Sequence, residues 1–369
     1  MRRILLGAWM AALASGADRW ELQYFYDKDD STLSFQDLQF ASPEKGLALG
    51  VVTEPRRRRP VTLVTSDGGK SWNLLPLKET GMSLFFLHEG AGWMISDKKH
   101  IWKTTDAGRT WTQVPLSGIR TTPLRVFFLD ESRGWLLCAE KQVYATADGG
   151  RSWQPLEAAS RPDLPAERSL YTWATFAGRQ IGLITGFSRG PERRSLVPPW
   201  MDPESIPLGR PPTDAMLLHS TDGGATWTHH VLRRLGELTR ARISSGGECL
   251  LLLRRPDSLT VATEITTLDL KTLRGKSVYG ERDRYLTDVA FAGPDRVFAA
   301  AVDQAGRTPF PAIPSKLRVL ESRSPGFTRW TEMEVDYRAE AARAVLAAPG
   351  PAHAWIATDT GMILKWTRD

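Results

Sequence analysis

Arginine is the residue type whose placement in this sequence most clearly suggests recognition chemistry. A guanidinium group binds carboxylates and phosphates through paired hydrogen bonds, so clustered arginines favour an acidic partner. The 369 residues include 48 Lys and Arg against 42 Asp and Glu, a formal net charge of +6. Trp200 lies in one of the arginine-containing segments and would either anchor a partner or hold its own loop in place. The arginines of interest are Arg56, Arg57, Arg58, Arg59, Arg189, Arg193, Arg194, Arg210, Arg254, Arg255 and Arg307.

Other side chains that often carry out chemistry are sparse. The six histidines show none of the spacings of common zinc motifs, and His229 and His230 would point to opposite faces of a strand. Cys138 and Cys249 are the only two cysteines, and we expect both to be buried free thiols. The sequence therefore predicts no catalytic residue, no metal site and no cofactor.

One eight-residue pattern, [S/T]-x-D-x-G-x-[S/T]-W, occurs four times. The copies, called the Asp turns below, are residues 65–72, 104–111, 146–153 and 220–227, and a fifth segment, 322–330, lacks the aspartate. Aspartate accepts hydrogen bonds from backbone N–H groups in tight turns, glycine supplies a positive φ, and tryptophan covers the turn. Each copy therefore predicts a turn between two strands. The residues with this structural role are Asp67, Trp72, Asp106, Trp111, Asp148, Trp153, Asp222 and Trp227.

The four segments resemble the Asp-box, or BNR repeat, of sialidases, sortilin-type receptors, some secreted glucanases and the photosystem II assembly and stability factors. All of these proteins are β-propellers. The resemblance covers nearly the whole chain after residue 17, and it is specific for fold but not for function. The pairs Gly92-Trp93 and Gly134-Trp135 add to the likeness to the photosystem II factors. That resemblance implies a non-enzymatic scaffold that binds a membrane-protein partner.

The strand pattern predicts an all-β fold, a single seven-bladed propeller of four-stranded antiparallel blades over residues 18–369. We name the strands of a blade a to d from the axis outward, with each Asp turn between c and d. The last blade lacks a strand d, and Trp20–Phe25 begins with tryptophan as other d strands do. We expect this segment to pair with the C-terminal strand near Lys365 and to close the ring. Six or eight blades are the alternatives.

Extra residues gather between strands b and c of four blades. The longest insertion is the Pro- and Arg-rich loop 188–214, and shorter ones lie at 54–60, 254–256 and 303–314. In an antiparallel blade the b–c turns lie at the opposite end from the c–d turns. The arginines named above would therefore share one face, the b–c face, opposite the Asp-turn face. We expect the b–c face to bind a protein with an acidic surface or tail.

Residues 1–17 have the features of an export signal. Arg2 and Arg3 precede an apolar run and a small-residue end, which is typical of a signal peptide cleaved after Ala14 or Ala17. The run is shorter than the roughly 20 residues that a membrane span requires. We expect a periplasmic or secreted monomer that is soluble, able to associate with a membrane protein, and without a nucleic-acid partner.

Enzymatic and glycan-binding propellers are the alternatives in function. The sialidase family has three substrate-clamping arginines, a Tyr–Glu pair and a Phe-Arg-Ile-Pro motif, and Arg59-Pro60 matches only part of that motif. Glycoside hydrolysis needs two carboxylates at a set separation, which requires a structure to test. The sequence favours an extracytoplasmic, non-enzymatic scaffold, an assembly or stability factor for an envelope or membrane complex, over a secreted glycan-binding or glycoside hydrolase propeller.

Overall fold

Seven sheets are arranged around one axis in the computed structural model of the chain. The structure describes residues 18–191, 212–233, 235–255, 261–303 and 315–368. The inner strand of each sheet packs beside the inner strand of the next, and the series returns from the seventh sheet to the first. The prediction of an all-β, seven-bladed propeller is therefore confirmed.

The first strand of the described residues, β1 (Arg19–Phe25), precedes the first blade. Blade one contains β2 (Thr32–Phe40), β3 (Gly46–Glu54), β4 (Arg57–Thr65) and β5 (Asn73–Pro76). Blade two contains β6 (Gly81–His88), β7 (Ala91–Ser96), β8 (Ile101–Thr104) and β9 (Thr112–Val114). Blade three contains β10 (Pro123–Phe128), β11 (Gly134–Cys138), β12 (Val143–Thr146) and β13 (Gln154–Pro155). Helix α1 (Glu157–Ser160) and a 3-10 turn (Ala166–Arg168) follow.

The remaining four blades have the same antiparallel order. Blade four contains β14 (Ser169–Ala177), β15 (Ile181–Arg189), β16 (Thr213–Ser220) and β17 (Thr228–Leu232). Blade five contains β18 (Glu237–Ile243), β19 (Cys249–Arg254), β20 (Thr263–Leu268) and β21 (Gly275–Glu281). Blade six contains β22 (Arg284–Phe291), β23 (Val297–Asp303), β24 (Ser315–Ser322) and β25 (Thr331–Glu332), with a 3-10 turn at Pro325–Phe327. Two short strands, β26 (Glu334–Val335) and β27 (Glu340–Ala341), precede β28 (Ala344–Gly350), β29 (His353–Thr358) and β30 (Met362–Thr367) of blade seven.

Blade seven is completed by β1. β1 pairs antiparallel with β30, so that Trp20 lies opposite Trp366 and Phe25 lies opposite Met362. Trp20 is 1% exposed, and its ring meets Phe298 edge-on with 5.2 Å between centroids. The short β26 pairs in parallel with β1 on its other side. The predicted closing strand is therefore confirmed.

Each Asp turn is held by the same hydrogen bonds. In the first turn, Thr65 Oγ1 donates to Asp67 Oδ1 and accepts from the Gly69 amide, each at 2.9 Å. The amide and hydroxyl of Ser71 donate to the two carboxylate oxygens of Asp67. The other three turns repeat these contacts. The tryptophan ending each turn lies directly before strand d, so these strands begin one residue later than predicted.

Aromatic rings pack the blades against one another in a repeated arrangement. Phe40 of β2 stacks on Trp355 of blade seven, with 3.8 Å between centroids, and meets Trp72 edge-on. Gly69 must approach this stack closely, because a Cβ there would lie 2.8 Å from Trp355 Nε1, and its φ is +83°. The same arrangement recurs for Phe128 with Trp93 and Trp153, and for Phe176 with Trp135 and Trp227.

The strand bounds show that the predicted insertions join strands b and c, as expected. In blade one the segment is not a loop, because β3 and β4 pair as far as Glu54 and Arg57 and turn at Pro55-Arg56. Most of the long insertion, 192–211, lies outside the described residues, as do 256–260 and 304–314. Within the described ranges, no helix is long and apolar enough to cross a membrane.

Replacing Asp222 by asparagine tests what the Asp turns contribute to stability. Hydrogen bonds from the Thr226 hydroxyl and amide, with another from Ser220, lower the pKa of Asp222 to about 2. The unfolded value is about 3.9, so the carboxylate stabilises the fold fully above this value and less as the pH falls towards 2. We expect urea unfolding to show a less stable Asp222→Asn variant at about pH 6, and this difference to close between about pH 4 and pH 2.

Asp29→Asn, at an exposed aspartate between β1 and β2, is the matched control and should leave the stability profile of the wild type unchanged. A stability difference for Asp222→Asn that is as large near pH 2 as near pH 6 would contradict this role of the carboxylate.

Candidate functional site

Six of the seven inner strands contain a β-bulge at the same level of the central channel. A bulge changes the direction of the neighbouring side chains and is common beside binding sites. The bulged residues are Gln36, Met82, Leu124, Thr172, Thr239 and Thr287. The residues that follow them, which form one level of the channel, are Asp37, Ser83, Arg125, Trp173, Arg240 and Asp288.

Three guanidinium groups converge on the indole of Trp173. The guanidinium carbons of Arg242, Arg125 and Arg240 lie 4.0, 4.4 and 4.8 Å from the ring centroid. Trp173 belongs to blade four, Arg125 to blade three, and the other two arginines to blade five. A cation within about 6 Å of an indole face is attracted by the ring quadrupole. Trp173 therefore offsets part of the repulsion among three like charges.

Two carboxylates lie at the same level and join neighbouring blades. Asp288 Oδ1 accepts from the Val289 amide at 2.9 Å, and Oδ2 accepts from the Leu346 amide of blade seven at 3.1 Å. Asp288 also forms ion pairs with Arg242 at 3.1 Å and Arg240 at 3.3 Å. Because each oxygen has its own partners, this buried carboxylate both pairs the arginines and links blade six to blade seven.

Asp37 has the same role between blades one and two. Its Oδ1 accepts from the Leu38 amide and its Oδ2 from the Leu84 amide, each at 2.9 Å. Arg125 is the nearest cation, and its Nη1 lies 3.7 Å from Asp37 Oδ2. The Asp37 carboxylate therefore accepts hydrogen bonds mainly from backbone amides, and its ion pair with Arg125 is long.

The described channel cluster carries more positive than negative charge, with three arginines against Asp37 and Asp288. Arg125 makes no hydrogen bond with any described residue, and Arg240 Nε, 3.3 Å from Asp288 Oδ1, is not aligned for a hydrogen bond with it. Burial, followed by repulsion from Arg240, lowers the pKa of Arg125 to about 10. Burial also lowers the pKa of Arg242. A pKa of about 10 leaves Arg125 charged at neutral pH, in surroundings that do not fully compensate it.

The channel widens into a cavity of about 290 Å³ at the Asp-turn face. Its lining comes from all seven blades, near the ends of the inner strands that lead into the a–b turns. Most of the lining residues have apolar side chains, and Arg242 brings the charged cluster to the cavity. The aromatic members are Phe40, Phe85, Phe127, Trp173 and Phe291.

Four of the predicted partner-binding arginines form the hairpin between β3 and β4 on the b–c face. Arg56, Arg57 and Arg58 are exposed and make no ion pair with any described residue. Arg59 instead pairs with Glu54, with 2.8 Å between Nη2 and Oε1. The hairpin tip therefore presents three arginines that are available to a partner.

The other described arginines of that prediction have acidic neighbours within the chain. Arg189 Nε donates to Glu237 Oε1 at 2.7 Å, and Arg254 lies 4.0 Å from the other oxygen of this buried glutamate. Arg255 pairs with Glu264 at 3.2 Å. Arg193, Arg194, Trp200, Arg210 and Arg307 lie outside the described residues.

Candidate nucleophiles and metal ligands are located away from the channel cluster. Cys138 and Cys249 are buried free thiols, as predicted, and burial raises the pKa of each to about 12. Tyr279 donates to Glu281 Oε2 at 3.0 Å, but this pair lies on β21, the outer strand of blade five. In the described part of the chain, no group of three or more His, Cys, Asp or Glu side chains could hold a metal ion.

The sequence-based prediction missed the channel cluster. A signal for it exists, because Asp37, Arg125 and Asp288 are charged residues at the same position of the inner strands of their blades. That signal becomes visible only when the inner strands are aligned blade by blade. Charge runs in the b–c segments are easier to notice than single charges spread over the chain.

Asp288→Asn tests whether the channel charges are structurally coupled. The substitution leaves Arg240 and Arg242 without their shared counter-charge, and removing one partner of a buried ion pair costs about 3–5 kcal/mol. We expect urea unfolding at neutral pH to show a loss of this size. Asp283→Asn, at an exposed aspartate just before β22, is the control and should change the free energy of unfolding by less than about 0.5 kcal/mol. Equal effects of the two substitutions would contradict the coupling.

Comparison with known proteins gives a likeness in structure alone. No family model matches the chain, and neither does any curated protein sequence. A structure of YCF48 bound to D1 peptide superimposes with a TM-score of 0.59 at 16% identity, covering 94% of this chain and 99% of that one. YCF48 from Cyanidioschyzon merolae gives a TM-score of 0.60 at 17% identity, with coverages of 95% and 99%. A streptogramin B lyase gives 0.61 at 10% identity, with coverages of 95% and 98%. The chain thus shares its propeller fold with a peptide-binding protein and with a lyase.

Proposed function

We propose that this chain is a non-enzymatic propeller that binds a partner protein on its b–c face. The observation that carries the proposal is that three arginines without an ion pair among the described residues and four exposed apolar side chains lie on that same face. The occupant we propose is an acidic segment of the partner that also contains apolar residues. Exposed apolar groups rimmed by charge mark protein-binding surfaces more often than scattered surface residues do.

The apolar part of the surface lies on blades two, six and seven. Tyr337 is 81% exposed in the connection from blade six to blade seven, and Phe25 is 48% exposed at the end of β1. Tyr285 and Met82 are exposed by 39% and 46% near the starts of the inner strands β22 and β6. All four positions lie at the end of the propeller that carries the b–c turns. They supply contact area for a partner's apolar side chains.

The charged part of the surface lies on blades one and two. Arg56, Arg57 and Arg58 occupy the tip of the blade-one hairpin, and Lys98 and Lys99 are exposed in the b–c turn of blade two. Together with the apolar residues they follow the b–c face over four consecutive blades, from six through seven and one to two. We call these nine residues the b–c arc. A basic surface of this kind attracts an acidic partner and speeds its encounter.

The structural comparisons support a binding role of this type. A protein with the same fold, YCF48, has been solved with a D1 peptide bound. We extend the proposal to an assembly or stability role for an envelope or membrane complex. The signal-like residues 1–17 support an extracytoplasmic location, and N-terminal sequencing of the protein recovered from its own cells tests this part, with Ser15 or Asp18 expected as the first residue.

Charge reversal on the two faces tests the proposed docking surface. The test variant carries Arg56→Glu, Arg57→Glu and Arg58→Glu, and the control carries Lys70→Glu and Arg151→Glu on the Asp-turn face. We expect the wild type and the control to recover the same partner from envelope extracts, with cross-links mapping to the b–c arc. Recovery by the test variant should be lost, and recovery by the wild type should weaken as salt is raised, because salt screens exposed charges.

Two results would contradict the proposal. One is a partner recovered equally well by the b–c variant at every salt concentration. The other is a partner whose cross-links map to the Asp-turn face. Turnover of a glycoside substrate by the purified chain would favour the enzymatic alternative instead.

A further inference from the structure

We propose that the channel also holds a binding site for a small organic anion with a flat apolar body, the chemical class of aromatic carboxylates. The site lies where the channel opens at the Asp-turn face, at the other end of the axis from the b–c arc. It is independent of the proposed protein-binding function and concerns a different ligand class.

The first argument is the balance of charge. Arg125, Arg240 and Arg242 face two carboxylates, and Asp288 serves two of the three arginines. The remaining arginine, Arg125, has only the 3.7 Å contact to Asp37, whose oxygens already accept from backbone amides. The Arg125 side chain is 24% exposed, and a partly buried positive charge without a close counter-charge is less favourable than a paired one. An anionic ligand would supply the missing charge.

The second argument is the hydrogen-bonding capacity that remains unused. A guanidinium has five N–H donors, and those of Arg125 have no hydrogen-bond acceptor among the described residues. Arg240 is already engaged, because its Nε lies 3.3 Å from Asp288 Oδ1 and its Nη1 donates to the Thr239 carbonyl at 2.9 Å. Arg125 and Arg242 contact the same indole, so the unused donors of Arg125 lie beside the cationic group that lines the cavity. The planar donors of one guanidinium match the two oxygens of a carboxylate.

The third argument is the apolar wall on the outer side of the charged cluster. Phe85 and Phe127 contact each other with 4.8 Å between centroids, and both line the cavity. Phe291, Ile243 and Ala348 line the other side. Apolar walls with a few converging polar groups are the usual composition of a small-molecule site. The walls favour a ring over a hydrated inorganic anion.

The size of the cavity limits the ligand. Its volume of about 290 Å³ lies near the lower end of the range for small-molecule pockets, which is about 300–1,000 Å³. A body of one or two fused rings with one carboxylate fits this volume, whereas a folded polypeptide segment does not. The carboxylate would point along the axis towards Arg242, the charged residue that lines the cavity, and towards Arg125, which contacts the same indole below the lining. The rings would lie between the phenylalanines.

Titration calorimetry with 2-naphthoate as the probe tests this site. The neutral amide, 2-naphthamide, has the same rings without the charge, and inorganic phosphate has charge without rings. We expect 2-naphthoate to bind the wild-type chain at one site, and the other two probes to bind at least about tenfold more weakly. The amide lacks a charge-assisted hydrogen bond, and phosphate has no apolar surface to bury against the cavity walls.

Arg125→Gln should weaken 2-naphthoate binding by about tenfold or more, while Arg151→Gln, at an exposed arginine of the Asp-turn face, should leave it unchanged. Arg125→Gln should fold normally, because it removes the least compensated charge of the cluster. Equal binding of 2-naphthoate and 2-naphthamide, equal binding to Arg125→Gln and wild type, or no binding of 2-naphthoate would each overturn the proposal. If Arg125→Gln does not fold, the comparison of the three probes on the wild type still tests the proposed anion site.

Discussion

Pairing between the first and last described strands holds this propeller closed, and the rest of the structure depends on it. Six residue pairs join β1 to β30, from Arg19 with Thr367 to Phe25 with Met362. Without this pairing, β30 would be an exposed sheet edge, which invites association with other chains. Closure also brings blades one and seven together, so the inner strands surround a single axis. The level of the channel that holds Asp37 and Asp288 exists only because the ring is complete.

Within the closed ring, the same turn and aromatic contacts recur in several blades. The two faces of the propeller carry different kinds of side chain. The Asp turns satisfy their polar groups internally, and the stacks of phenylalanine with tryptophan fill the space between blades. These contacts leave few groups of the turns available to a ligand. The b–c face carries exposed arginines and apolar side chains. The channel mouth on the other face combines aromatic walls with the least compensated charges of the described residues.

The sequence was sufficient to predict the fold but only part of the site. The seven blades, the closing strand and the Asp-turn contacts follow from local patterns, because each involves residues close in sequence or a repeat of the same segment. The pairing of Arg189 and Arg254 with Glu237 could not be predicted, since these residues lie on separate strands and meet through sheet register. The cluster around Trp173 draws on blades three, four, five and six. Its members are single charges within apolar strands, and only the closed ring brings them together.

Hydrogen exchange measured by mass spectrometry on the full chain tests the closure most directly. The account predicts that amides of Trp20–Leu22 exchange as slowly as those of β30, because opening either strand means opening the ring. It also predicts that the turn between β1 and β2 exchanges much faster than either. Exchange of β1 at the rate of that turn, with β30 still protected, would contradict the account. In that case the channel and its charged cluster would not depend on β1.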